Sequence, residues 1–205
     1  MQKQEDDTVF RILHFWFADI GNGFDVGVQN GLWFKGSAET DAIIAERFAA
    51  QVERALAGEL HSWREQPESA LALVLLLDQF PRNIFRGQAR AFAGDELAGS
   101  VVSEALQQGF DQHLTFLQRT FLYMPLMHSE CLSDQLRCVA LFENLLSEVP
   151  ADGKSVIGGN LKFARLHLEL IERFGRFPHR NAVLGRESTA EEEAYLNGGG
   201  ARFGQ

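Results

Sequence analysis

Apolar residues recur along the chain at three- and four-residue steps, and no convincing run of alternating β-branched residues marks a strand. The spacing predicts a first helix capped by Thr8 and running through Asp19, with Val9, Ile12, Leu13, Trp16 and Phe17 on one face. Residues 20–36 read as a glycine-rich loop around Leu32, Trp33 and Phe34. A second helix, about 38–57, carries Ile44, Phe48, Val52 and Leu56 at four-residue steps. Pro67 suits the first turn of a third helix, 67–79, which is apolar nearly all round and therefore belongs at the centre. A fourth is expected over about 94–108, before Gly109.

Thr115 and Gln118 form a possible capping box for a fifth helix, which Pro125 should end or kink. The sixth, about 130–147, carries Leu132, Leu136, Val139 and Leu146. Asn160 caps a seventh with Phe163, Ala164, His167, Ile171 and Phe174 on one face, and Gly175 is placed to end it. Ser188 and Glu191 have the spacing of a capping box for a last short helix ending near Leu196. The sum is an all-α fold of about eight helices arranged as antiparallel hairpins. It is expected to form one domain over 1–198, followed by a disordered tail, 199–205. No 34-residue period emerges.

Composition narrows the partners. The longest uninterrupted apolar run, Ala70 to Leu77, has eight residues, whereas a membrane span needs about 20. The N-terminus is polar and acidic, without the basic-then-apolar order of a secretion signal, so a cytoplasmic location is expected. Cys131 and Cys138 lie seven apart on one expected helix, roughly 10 Å at the helical rise, beyond disulfide reach. Both are expected reduced and packed as small apolar residues. The net charge of −9 argues against a general nucleic-acid binder. Fifteen arginines stand against four lysines, and seven fall at 82, 86, 90, 173, 176, 180 and 186. Arginine's planar fork suits a confined anion site or buried ion pairs.

Common motifs fail. Gly153-Lys154-Ser155 resembles the end of a phosphate loop, but its leading glycine would fall at Glu148. His128-Ser129-Glu130 has the form found in zinc deaminases, without the cysteine pair that should follow. No metal and no cofactor are expected.

Three segments remain that could carry chemistry. In DQFPRNIFRG, Pro81 disfavours helical geometry at Phe80 and can start a short helix, placing Arg82 and Arg86 on one face. Asp78 and Asn83 would either satisfy those arginines and freed carbonyls, or join them in binding an anion. In YMPLMHSE, Ser129 can be a helix cap beside Glu130, or His128 and Glu130 can form an acid–base pair. In LHLELIERFGRFPHRN, His167 reads first as a hydrogen-bonded core residue. Arg176, His179, Arg180 and Asn181 crowd a non-helical turn, where directed bonds go to backbone carbonyls or to a ligand.

These segments, with FWF at 15–17, WF at 33–34 and RFGRFPHRNAVLGRESTAEEEAYL, resemble the bacterial family catalogued as domain of unknown function 924. The resemblance spans nearly the whole chain. It implies a tetratricopeptide-like superhelical array and no particular activity. It marks Asp78, Arg82, Asn83, His128, Glu130, His179, Arg180 and Asn181 as signature positions. Cys131 is a departure, since the family usually carries an acidic residue there.

Three functional readings follow. In the first, Arg82, Arg86, Arg176 and Arg180 bind a small anionic molecule or an acidic peptide end, with Asp78, Asn83, His167 and Asn181 lining the site. In the second, the protein is a hydrolase or transferase for a phosphorylated or acyl substrate, with His128 or His179 as the acid–base, Glu130 or Asp78 orienting it, and the arginines stabilising developing negative charge. In the third it is a structural interaction protein whose polar residues stabilise helix ends.

Overall fold

The computed structural model describes residues 2–21 and 23–203, apart from the side chains of 2–4 and 28. Among these residues the protein is all-helical, without strands. The helices are α1 (Gln2–Phe17), α2 (Gly27–Phe34), α3 (Ala38–Leu56), α4 (Pro67–Val74), α5 (Phe80–Ile84), α6 (Asp95–Gln107), α7 (Phe116–His128), α8 (Leu132–Glu148), α9 (Lys154–Phe174) and α10 (Ala190–Asn197). No helix is long and apolar enough to cross a membrane, among the described residues.

The central segment is the one the sequence marks. Every residue from Ala70 to Phe80 is buried, including Asp78 and Gln79. Around it pack Trp16, Phe48 and Phe121, with Phe48 at 5.0 Å and Trp16 at 5.4 Å from the Phe80 ring. These edge and tilted contacts are the geometry that aromatic quadrupoles favour. Helices α7, α8 and α9 pack successively on one another. A smaller apolar cluster, Leu170, Ile171 and Phe177, forms where α9 meets the chain that follows it.

Several expectations are corrected by packing. Thr8 lies inside α1, because no glycine or proline breaks residues 2–7. The expected loop 20–36 contains α2, whose Gln29 and Trp33 side chains donate to the last carbonyls of α1: Gln29 to Phe15 (3.2 Å) and Trp16 (3.0 Å), Trp33 to Trp16 (2.9 Å). Pro125 sits inside α7 without ending it. The cost of an interior proline, about 3 kcal/mol, is outweighed by a helix whose side chains from Arg119 to Met127 are all buried. Helix α9 starts at Lys154, so Asn160 is internal; burial of Ile157 and Leu161 on one face extends it through the glycine pair.

Smaller shifts concern caps. Thr115 and Gln118 do form a capping box, whereas the last one is Thr189 with Glu192, one residue beyond the expected pair. Ser129 does not cap α8; its hydroxyl accepts from the Cys131 N–H and donates to Asp134. Cys138 is buried as expected, and Cys131 is exposed because it precedes α8 on the surface; both are free thiols. The Ala201 N–H donates to the Tyr195 hydroxyl, and Phe203 stacks on His167 at 3.7 Å. Residues 204–205 lie outside the described residues.

One glycine fixes where α6 begins. A Cβ on Gly94 would lie 2.2 Å from the Leu77 carbonyl oxygen, so only glycine lets this turn approach the central helix so closely. That approach sets Asp95 beside the central helix. Gly94→Ala is therefore expected to destabilise the protein by about 1–3 kcal/mol, measured by chemical denaturation. Gly99→Ala, whose added Cβ meets nothing within 4 Å, serves as the control and should be neutral or stabilising.

Candidate functional site

The central helix does not stop before Pro81. It passes from α4 into a π-helical turn, Leu75–Gln79, and then into α5, with Phe80 in helical geometry and its N–H donated to the Leu75 carbonyl. Proline is accommodated because it sits in the first turn after the π register change. Such turns interrupt α-helices mostly at functional places. Here the turn carries Asp78, which is 0% exposed.

Three neighbours compensate the buried carboxylate, and a fourth residue, Asp95, pairs with one of them. Arg82 Nη1 lies 3.1 Å from Asp78 Oδ1 and also donates to the Asp78 backbone carbonyl at 2.8 Å. Gln79 Nε2 donates to Oδ2 at 2.5 Å. His128, the last residue of α7, places Nδ1 2.7 Å from Oδ1. Asp95, from the start of α6, receives both Arg82 Nη atoms at 2.8 and 3.0 Å and a third bond from Arg180 Nη1 at 3.2 Å. The Arg180 guanidinium lies 4.6 Å from the rings of both Phe92 and Phe177, a cation–π setting. It is 5% exposed, and its Nε has no partner among the described residues.

The protonation pattern follows from these contacts. Burial alone would raise the Asp78 carboxyl, but the Arg82 charge and then His128 outweigh it and hold it well below the carboxylate range. An ionised carboxylate only accepts, so His128 must donate from Nδ1 and keep its lone pair on Nε2. Burial lowers the His128 pKa and outweighs the pull of Asp78. His128 is 16% exposed on its side chain, and Nε2 makes no hydrogen bond among the described residues. The group is a neutral imidazole, oriented from behind, with its basic nitrogen unused.

Two more histidines complete the cluster. His167 lies 6.1 Å from His128 between ring centroids, and its Nδ1 is 2.8 Å from the Phe163 carbonyl. Burial brings its pKa down to about 3. Burial, with Arg180 next, brings His179 down to about 4, and its Nδ1 is buried without a partner. Phe203 covers both, 3.7 Å from His167 and 5.5 Å from His179.

Behind this layer runs a second network. Glu130 accepts from the Phe177 N–H at 2.7 Å and holds Arg186 bidentately at 2.6 and 2.9 Å. Burial would raise its pKa, but the Arg186 bond and then the Phe177 N–H lower it. Arg186 Nε donates to Asn181 Oδ1, and Asn181 Nδ2 donates to Ser188 and Glu192. Glu192 takes Arg176 at 2.6 and 2.7 Å, and that bond foremost draws its pKa down to about 2.

The three sequence segments thus meet. Asp78, Arg82, His128, His167, His179 and Arg180 gather in one layer; Glu130, Arg176 and Asn181 stand behind it. Asn83 and Arg86 turn away to α3, where both bind Asp41, Asn83 at 2.8 Å and Arg86 bidentately at 2.8 and 2.9 Å. The sequence reading missed Asp95, Phe92, Glu192 and Phe203. Asp95 reads locally as an ordinary acidic residue in a first helical turn; the available signal was that buried arginines need carboxylates. Among the described residues no group of His, Cys, Asp and Glu has the geometry to hold a metal.

The family described as a bacterial protein of unknown function (DUF924) matches residues 12–200. The chain belongs to that family. This DUF924 member is also similar to a solved protein of unknown function from Agrobacterium tumefaciens. The two are 38% identical with a TM-score of 0.79, over 94% of this chain and 98% of the other. No curated protein matches the chain.

The depressed histidines make a stability prediction for this DUF924 member. In the unfolded chain histidine protonates near pH 6.5 (~6.5), whereas folded His167 and His179 resist until about 3 and about 4. Between those limits the unfolded chain binds more protons, so stability falls as pH falls. The melting temperature is expected to drop steadily from about pH 6.5 toward pH 4, with a smaller drop in His167→Phe. A flat profile from pH 7 to 5 in the parent protein would contradict the assignment.

Proposed function

We propose that this protein is an enzyme, a hydrolase or transferase acting on a phosphorylated or acyl substrate, with His128 as its general acid–base. The observation that carries this reading is the 2.7 Å pairing of His128 Nδ1 with buried, ionised Asp78, which leaves Nε2 without a partner among the described residues. In the step, Nε2 takes the proton of an attacking water or hydroxyl as its oxygen bonds to phosphorus or to the acyl carbon. The same proton then passes from Nε2 to the leaving oxygen as that bond breaks. Asp78 holds the tautomer and stabilises the transient imidazolium. Arg180 retains unused donors and is the cation that meets developing negative charge.

The arginine-clamp reading narrows accordingly. Arg82, Arg86 and Arg176 are held bidentately by Asp95, Asp41 and Glu192. A small anion or acidic peptide end has Arg180 to meet, next to the three histidines. Glu130 serves the fold through Arg186 and the Phe177 N–H rather than orienting His128.

The test combines histidine ¹⁵N NMR with turnover of p-nitrophenyl phosphate and p-nitrophenyl acetate. The His128 signal should report Nδ1–H with an unprotonated Nε2 at pH 7. His128→Gln should lower kcat by roughly 10²–10⁴-fold while the melting temperature stays close to the parent's. An Nε2–H tautomer, or turnover unaffected by His128→Gln, would sink the proposal; so would no turnover of either ester by the parent protein.

A further inference from the structure

The ring of Phe203 lies against the histidines of the candidate site much as a bound aromatic molecule would. It stacks on His167 with ring centroids 3.7 Å apart at an interplanar angle of 25°, and it meets His179 edge-on at 5.5 Å. Phe177 forms a third wall of this slot, 5.4 Å from His167 and 5.6 Å from His179. His167 links the slot to the proposed acid–base, since its ring also lies 6.1 Å from that of His128. Burial keeps His167 neutral, with its pKa down at about 3, so its face stacks as an aromatic ring and not as a cation.

Phe203 is seated there unlike a core residue. Its side chain is half-buried, and its backbone φ of 47° lies in the left-handed region, a strained place for a bulky side chain. The chain arrives through Gly198, Gly199 and Gly200, and Tyr195 anchors it just before the ring. The Tyr195 carbonyl accepts from the Gly200 N–H at 3.0 Å, and its hydroxyl accepts from the Ala201 N–H at 2.8 Å. A Cβ on Gly200 would lie 2.4 Å from the Tyr195 ring, so the turn is fitted to that side chain. Beyond it, Arg202 adds an exposed 3.4 Å bond to the Leu196 carbonyl. A strained, half-exposed ring held from an anchored turn is one that another ring can replace.

We infer that this slot is an aryl subsite of the His128 site: the substrate carries an aromatic ring that displaces Phe203, stacks on His167 and brings its ester group to His128 and Arg180. The reaction in this statement rests on the acid–base reading above; the binding does not. Arg180 lies 4.6 Å from the Phe177 ring, which places a cation at the edge of the slot and suits a ring that bears a carboxyl or phosphoryl group. Displacement exchanges one stacked ring for another, whereas an aliphatic group of similar bulk fills the slot without the stacked contact. Phe203 is thus a built-in competitor, and removing it raises the affinity for aryl ligands.

The experiment uses the full chain with phenylacetate, cyclohexylacetate and acetate as probes. Calorimetry gives affinities for the parent and Phe203→Ala, while ¹H–¹³C spectra follow the His167 ring protons, assigned by their loss in His167→Phe. Phe203→Ala is expected to bind phenylacetate at least ~10-fold more tightly than the parent does, and roughly 3–10-fold more tightly than it binds cyclohexylacetate. Losing the Phe203 ring current should move the His167 protons downfield in the variant. Saturating phenylacetate should move them back, and acetate should not. Equal affinity of parent and Phe203→Ala for phenylacetate would overturn the inference, as would equal affinity for the phenyl and cyclohexyl acids. No response of His167 in Phe203→Ala to ~10 mM phenylacetate would do the same, since even weak sites have Kd near 1 mM. None of these readouts needs turnover. If neither p-nitrophenyl ester is turned over while phenylacetate binds as expected, the acid–base reading fails and the aryl subsite stands. If Phe203→Ala fails to fold, Phe203→Leu, which keeps bulk but loses the planar ring, is judged by the same criteria.

Discussion

A carboxylate with no contact to water sits inside the most apolar helix of this protein, and much else is arranged to make that tolerable. An isolated ionised group in a low-dielectric interior is prohibitive unless paired and hydrogen-bonded. Asp78 is therefore met from three directions: Arg82 from the next turn, Gln79 from its own turn and His128 from the end of α7. Meeting Arg82 in turn requires Asp95, and Asp95 requires Gly94 to bring α6 against the central helix. The π turn belongs to the same chain of causes, because it carries Asp78 between the apolar helix and α5.

The arginine-rich composition looks different once the contacts are traced. In the front layer Arg82 and Arg180 stand against Asp78 and Asp95, so the charges balance. Behind it, Arg186 balances Glu130 and Arg176 balances Glu192. Arginine rather than lysine suits the bidentate pairs, Arg82 with Asp95, Arg176 with Glu192 and Arg186 with Glu130, because a point charge on a flexible stem does not match both carboxylate oxygens. Local arginine clusters in an acidic chain thus reflect internal pairing more than attraction for an external anion. Buried pairs of this kind add little net stability over an apolar core, but removing one partner is costly.

The helices were legible because their signals are local. Four-residue apolar steps located α3, the continuous apolar run located the centre, and Thr115 with Gln118 located the start of α7. What the sequence hid is non-local. Helix α2 exists because Gln29 and Trp33 find the end of α1, and no periodicity within residues 20–36 reveals that. Proline at 125 reads as a stop because local sequence cannot show that the surrounding helix is buried on nearly every side. In the candidate site, the segments singled out by residue type and by the family resemblance are brought together in the fold. Which arginine serves the fold and which is left over depends on Asp95, Asp41 and Glu192, each remote in sequence from its partner.

That leftover is what distinguishes a functional reading of the cluster from a structural one. A network retained only for docking should close on itself, as the Glu130–Arg186–Asn181–Glu192–Arg176 chain does, with each strong donor and acceptor matched. The front layer does not close. Among the described residues His128 keeps Nε2 unused, His179 keeps a buried Nδ1 without a partner, and Arg180 keeps its Nε unpaired. These unmet groups occur together, next to a carboxylate held ionised and imidazoles held neutral by burial. Unpaired polar atoms elsewhere among the described residues, at Trp16, Gln51, Trp63 and Gln135, are single amide or indole atoms outside this cluster. A base and a cation with capacity to spare, beside a carboxylate that orients the base, is the arrangement that the proposed proton transfer requires.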